Sequence, residues 1–224
     1  MVALENRDIR QRDLVPPPLL AQYHSVVISV GAIGRQVAVQ LAAMGAPVLT
    51  LIDDDVVAVE NLAVPGYAPA ELGLAKVEAA AQACRHQNPD TLVEPLMRRF
   101  ARSFRISPQR ERLAVFACVD SIQGRRTVWD ALHAQAAFFA DGRMAGEVLR
   151  VLASTDPPVD SYYPSTLFEA AQAHPAPCTG RSTLYAASIA AGLMLARFAM
   201  HLRGHHAVPR DTLLNLAADE LTSL

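Results

Sequence analysis

Two stretches of this chain combine residue types that handle phosphates. The first, Ser29-Val30-Gly31-Ala32-Ile33-Gly34, follows the apolar run "SVVISV" and opens a segment of helical periodicity. A glycine at 31 lets the backbone approach phosphate oxygens, and one at 34 lets the helix lie close on the strand. The first helical amides then offer donors and a positive dipole to an anion. Gly31, Ala32, Ile33 and Gly34 are therefore candidate nucleotide contacts. The second stretch, "VLTLIDDDVVAVENL", is a core-like strand ending in Asp53, Asp54 and Asp55. Carboxylates resist burial and repel one another, so their place at a strand tip needs a reason. Asp53 lies about twenty residues beyond the glycines, where an acidic side chain accepts bonds from ribose hydroxyls. Asp54 reads as the solvated start of a loop.

The motif alone leaves a dinucleotide dehydrogenase and an ATP-using enzyme both open. Asp55, Asn61, Lys76 and Asp120 separate them. Lys76 falls in the first turns of a helix, where a cation opposes the macrodipole; it is either facing a phosphate or solvated. Asp120 ends a second apolar run, "RLAVFACVD", and is either a ligand for Mg²⁺, which takes one or two carboxylates plus phosphates, or the cap of the helix after it. Carboxylates, lysine and a candidate metal site favour phosphate chemistry over hydride transfer.

Positioning these groups requires strands and helices in alternation. Apolar runs at 25–30, 47–53 and 112–120, with "AAFFADG" and "EVLRVLAS" later, have strand length. Between them come "GAIGRQVAVQLAAMGA", "ELGLAKVEAAAQACRHQ" and "SIQGRRTVWDALHAQ", with helical spacing. "TLVEPLM" is a third strand weakened by its proline. The fold class predicted is α/β, Rossmann-like, doubly wound and mostly parallel, with helices on both faces. Residues 1–24 read as an N-terminal arm or short helix and 25–224 as one domain, with a crossover loop at about 155–180. "TLYAASIAAGLMLARFAMHL" has almost bilayer-spanning length, but Arg197 and His201 interrupt it, and a buried helix is expected.

Composition narrows the function classes. The chain is 51% hydrophobic with a formal net charge of -2, a soluble-domain profile with no electrostatic case for nucleic acid or an anionic membrane. Cys84, Cys118 and Cys178 are dispersed without a CxxC pair, so neither structural zinc nor a disulfide framework is expected. The charged start "MVALENRDIRQRDL" lacks the apolar core of a secretory signal, which predicts a cytoplasmic setting.

Five blocks in order resemble the ThiF/MoeB/HesA superfamily, relatives of the ubiquitin-activating enzymes: "RDIRQ", "VGAIGRQVAVQLAAMGA", "LIDDDVVAVENL", "LGLAKVEAA" followed by "NP", and "CVDS". The resemblance covers about residues 7–200. It implies a homodimeric enzyme that binds Mg·ATP and adenylates the C-terminal carboxylate of a ubiquitin-like or sulfur-carrier protein. By motif, Asp53 would hold the ribose, Asn61 and Lys76 the phosphates, and Asp120 the magnesium. Arg10 would reach the ATP of the partner subunit. Two departures stand out. The family's N-L-x-R-Q reads "NLAVP" here, with Val64 at the arginine position; Arg98, Arg99 and Arg102 are the candidate replacements. Ser29 replaces the first glycine, which fits a turn that needs no positive φ.

Cys178, in "HPAPCTGRSTLY", lies where relatives carry the crossover loop. It is either a thiol made nucleophilic by Arg181 and a helix N-terminus, able to accept the activated carboxyl as a thioester, or a small residue closing a loop. Cys84 and Cys118 read as packing. The leading function is thus ATP-dependent adenylation of a carrier protein. The alternatives are a non-catalytic binding subunit on the same fold and, behind it, an NAD-dependent oxidoreductase.

Overall fold

The computed structural model describes residues 7–168 and 182–224. A short α1 (Pro17–Leu20) leads into β1 (Tyr23–Ile28), so Tyr23 and His24, expected in the arm, are the first residues of the central strand. The first half continues with α2 (Ala32–Met44), β2 (Val48–Asp53), α3 (Lys76–Gln87), β3 (Leu92–Met97), β4 (Arg112–Ala117) and α4 (Ile122–Leu132). The second half holds β5 (Phe138–Ala145), β6 (Val148–Ser154), α5 (Tyr162–Ser165), α6 (Leu184–Leu202), β7 (Asp211–Asn215) and β8 (Glu220–Ser223). The closing "RDTLLNLAADE" supplies β7 and the turn into β8.

The strands form one sheet in the order β3-β2-β1-β4-β5-β6-β7-β8. The run from β3 to β5 is parallel and the run from β5 to β8 antiparallel. β1 and β2 are buried at every position, as strands covered on both faces must be, which explains why apolar residues predominate in them. One face is covered by α2, α3 and α6, packed on Val27, Leu49, Phe116 and Phe138. The other lies under α4 and α5, where Trp129 and Tyr163 close over Val115 and Phe139. Pro95 is tolerated because β3 is an edge strand.

Among the described residues one helix, α6, is long and apolar enough to cross a membrane. It is the core helix its alanines predict: Ala187, Ala190, Ala191, Met194 and Phe198 are buried, and small side chains let it lie against α2.

The core also contains a polar chain. Gln109 donates its backbone N–H to His24 Nδ1, so His24 Nε2 carries the proton and donates to Thr50 Oγ1 at 2.8 Å; Thr50 in turn donates to Glu94. Burial holds the His24 pKa below its ordinary 6.5, with Arg110 adding to the effect and Glu94 opposing it. His201, bonded to the Tyr23 hydroxyl, is lowered by burial and by Arg112. Both histidines therefore bind protons more readily in the unfolded chain. Their contribution should be level around pH 7 to 8, and stability should fall as the pH drops below about 6.5, with a slope approaching 2.7 kcal/mol per pH unit if both protons are taken up. Urea unfolding at pH 7.5, 6.5 and 5.5 measures this, and a stability that rises on acidification would contradict it.

Candidate functional site

The sheet order reverses at β1, whose neighbours β2 and β4 lead to opposite edges. In open α/β sheets ligands bind beyond the carboxyl ends of the strands at such a switch point. Two cavities open there, of about 470 and 460 Å³, and they share Ser29, Asp55, Val119 and Asp120 as a common wall.

The β1–α2 turn forms the floor. Ser29 sits at φ 67°, the left-handed region. The expectation that this turn would need no positive φ is therefore corrected: the serine occupies a glycine's conformation, at a cost of about 1–2 kcal/mol. Its surroundings hold it there. Ser29 Oγ donates to Asp53 Oδ2 at 3.1 Å, the Val30 amide donates to the same oxygen at 2.8 Å, and the Ser29 amide is bonded to the Ile52 carbonyl. A Cβ at Gly34 would lie 1.9 Å from the Ser29 carbonyl oxygen, so only glycine permits this approach of helix to turn. A Cβ at Gly31 would meet only Ser29 Oγ, at 3.7 Å, which leaves the space above the turn open to a ligand.

The aspartates now have separate duties. Asp53 is buried and binds the turn, and its Oδ1 accepts the Asp55 amide at 2.9 Å. Asp55 accepts a 2.7 Å bond from Lys76 Nζ. Lys76 is 8% exposed, so the solvated reading fails. Lys76 lines the second cavity beside Gly31, Ala32 and Ile33 at the start of α2. Tyr67 braces this corner by donating to the Val30 carbonyl at 2.7 Å. Asp53, Asp54 and Asp55 can bring one carboxylate oxygen each within 4.8 Å, the one cluster among the described residues suited to a metal. Two of the three are already engaged.

Asp120 is different. The cap of α4 is Ser121, whose Oγ accepts from the Gly124 amide at 3.1 Å. Asp120 is exposed, faces both cavities and has no hydrogen-bond partner among the described residues. A hard, unoccupied oxygen donor between two cavities suits Mg²⁺ shared with phosphates.

The ThiF family model matches residues 18–222. The chain belongs to the ThiF family. Ubiquitin-like modifier-activating enzyme 5 of Caenorhabditis elegans is 41% identical over 68 residues, which are 30% of this chain and only 16% of that enzyme. A selenomethionine PaaA structure matches with a TM-score of 0.78 at 16% identity, covering 99% of this chain and 72% of that one. E. coli MccB with ATP matches with a TM-score of 0.72 at 14% identity, over 98% of this chain and 71% of that one. E. coli MccB with selenomethionine MccA gives 0.74 at 15%, over the same shares. At these identities the solved structures establish the fold.

Within this ThiF-family fold the predicted site residues divide. Gly31, Ala32, Ile33, Asp55, Lys76 and Asp120 line the second cavity, and Asp53 lines the first. Gly34 packs beneath the turn. Asn61 lines neither cavity: its Oδ1 accepts the Ala58 amide at 2.9 Å and shapes the loop after β2. Arg10 is exposed, between Arg7 and Gln11, which bond the carbonyls of Ala42, Ala43 and Met44 at the far end of α2 from the glycine turn. Cys178 and Arg181 lie outside the described residues. Cys84 is buried in α3, its thiol pushed up to about 12 by burial. Cys118 is half-buried in the wall of the second cavity, and burial raises its pKa too, so it offers no thiolate. Of the three candidate replacements for the arginine at Val64, Arg99 lines the first cavity, Arg98 lies over the Phe104 ring and Arg102 pairs with Asp130.

Sequence reasoning missed Arg125, which lines the second cavity, and Asp141, which holds it. A signal existed. "FFAD" is a third apolar run ending in aspartate, after those of Asp53 and Asp120, and it leads to the same edge of the sheet.

Proposed function

We propose that this chain binds ATP across the two cavities and transfers the adenylyl group to a carboxylate of a small protein or peptide, releasing pyrophosphate. Membership of the ThiF family and the partial match to a ubiquitin-like modifier-activating enzyme support adenylyltransferase-type activity in general. The observation that carries the reading is the second cavity, where the α2 N-terminus and Lys76 face the carboxylate of Asp120, unpartnered among the described residues, on the wall shared with the first cavity. The fold likeness to MccB solved with ATP and with MccA fits both ligands.

The residues divide the work. The first cavity, bounded by Asp53, Arg99 and Phe100, receives the nucleoside, and the remaining acceptor capacity of Asp53 meets the ribose. The α2 amides and Lys76 receive the phosphates. Asp120 would hold Mg²⁺, which supplies charge neutralisation on the phosphates when bound. The acceptor carboxylate is already a nucleophile, so the protein needs no base and contributes alignment and electrostatic balance. Arg10 cannot serve its own cleft from the far end of α2; in this reading it serves that of a second subunit.

Calorimetric titration with ATP·Mg²⁺ and with NAD⁺ tests the proposal. ATP should bind, and Asp53→Ala should weaken it at least about tenfold, because the Val30 and Asp55 amides lose their acceptor and the turn loses its anchor. Binding of NAD⁺ with no response to ATP would overturn the reading.

A further inference from the structure

The second cavity contains a cation that the nucleotide contacts do not use. Arg125, on the first turn of α4, is 5% exposed. Its Nε donates to Asp141 Oδ1 at 2.9 Å and its Nη2 to the Gly142 carbonyl at 3.3 Å. Asp141 is fully buried at the end of β5, and its other oxygen accepts from Arg143 Nε at 2.7 Å and from the Tyr163 hydroxyl at 3.1 Å. Arg143 is in turn consumed by Thr166, through the backbone carbonyl and the hydroxyl. One buried carboxylate thus serves two guanidinium groups, and the cluster carries an excess positive charge. Arg125 Nη1 has no hydrogen-bond partner among the described residues, and Arg125 lines the cavity.

A buried cation without a full counter-charge is costly unless an anion completes it. The carboxylates lining the cavity do not: Asp55 is paired with Lys76, and Asp120 makes no bond to Arg125 and is the magnesium ligand of the reading above, while Asp141 is already shared. Beside these charged groups the cavity is lined by Ala32, Cys118, Gly142 and Ala145. Guanidinium groups fixed in this way match the flat fork of a carboxylate.

Resting on the adenylation reading above, we propose that Arg125, held by Asp141, binds the acceptor's terminal carboxylate in the second cavity, alongside the α-phosphate. Arg125 offsets the repulsion between two anions that must meet. A carboxylate oxygen then forms the bond to the α-phosphorus, the bond from that phosphorus to the β-phosphate oxygen breaks, and its electron pair leaves with pyrophosphate. No proton is transferred.

The test uses N-acetylglycine with a ¹³C-labelled carboxyl group, followed by NMR on the whole protein with and without the α,β-methylene analogue of ATP. The wild type should bind N-acetylglycine but not N-acetylglycinamide. Arg125→Lys keeps the charge beside Asp141 but loses the fork. It should weaken the carboxylate about tenfold or more and leave analogue affinity within about twofold. Ala145→Trp, at an exposed position on the cavity wall, should block the carboxylate in the same way without touching the buried cluster. Equal carboxylate binding by wild type and Arg125→Lys would overturn the proposal. So would a parallel loss of the analogue, which would make Arg125 a phosphate ligand. Failure of the wild type to bind the analogue would instead overturn the adenylation reading, and the titrations without nucleotide would still decide the role of Arg125.

Discussion

Asp120→Asn should remove adenylation while leaving the protein folded. Asp120 is exposed, makes no hydrogen bond among the described residues and is not the cap of α4, which Ser121 provides. Exposed substitutions of this kind change stability by no more than about 0.5 kcal/mol, roughly 1–2 °C in a chain of this size. The carboxylate is nevertheless, among the described residues, the one anionic group lining both cavities with its lone pairs uncommitted. Replacing it with an amide removes a full charge where a cation would bridge protein and phosphate. Loss of one such electrostatic contribution costs about 2.7–4 kcal/mol, or 10²–10³ in rate. ATP–pyrophosphate exchange with the acceptor measures the rate, and calorimetry across a magnesium series shows whether the metal dependence of nucleotide binding disappears with it. Exchange at the wild-type rate, or unchanged magnesium dependence, would remove Asp120 from this role.

The two glycines of the turn should fail in opposite ways. Gly34→Ala places a Cβ 1.9 Å from the Ser29 carbonyl oxygen and 3.1 Å from Cys118 Cβ. The first of these atoms is backbone, so no rotamer change relieves it. α2 must leave the sheet, or the Ser29 turn must unwind and give up its bonds to Asp53. Either route belongs in the rare class above about 4 kcal/mol, a fall of roughly 10 °C in Tm, and nucleotide binding should be lost with the turn. Gly31→Ala meets nothing closer than 3.7 Å, so its Tm should stay within about 2 °C of wild type. Yet the added methyl group occupies the space over the turn that the proposed function gives to the phosphates, and on that reading affinity for ATP should fall at least about tenfold. Thermal melts and calorimetry on the pair separate a glycine kept for packing from one kept for a ligand. Similar behaviour in both variants would show that the distinction is mistaken.

The alternation of continuous apolar runs with segments of helical spacing is a local property, written in which residues are hydrophobic and how often they recur. It was sufficient for an α/β sheet covered on both faces, for the glycine turn between β1 and α2, and for carboxylates at the ends of β2 and β4. Gly31 and Asp53 follow from the same logic, because a motif tied to one strand–helix junction needs no distant partner to be recognised. What each carboxylate does was beyond that logic. Whether Asp120 is a cap or a free ligand depends on Ser121 taking the capping bond, and whether Lys76 is solvated depends on the reach of Asp55 across the loop. Ser29 read as harmless because its φ is fixed by the Ile52 carbonyl and Asp53, both far from it along the chain. Asn61 looked like a phosphate contact by its neighbours in sequence, but its side chain closes a local turn. Arg125 and Asp141 stand sixteen residues apart in sequence and meet only because β5 runs beside β4, bringing its carboxyl end to the cleft. The sequence determined the elements, the glycine turn and the carboxylates at the strand ends; the order of strands decided which charges would face each other, because an ion pair depends on distances that only the packed sheet sets.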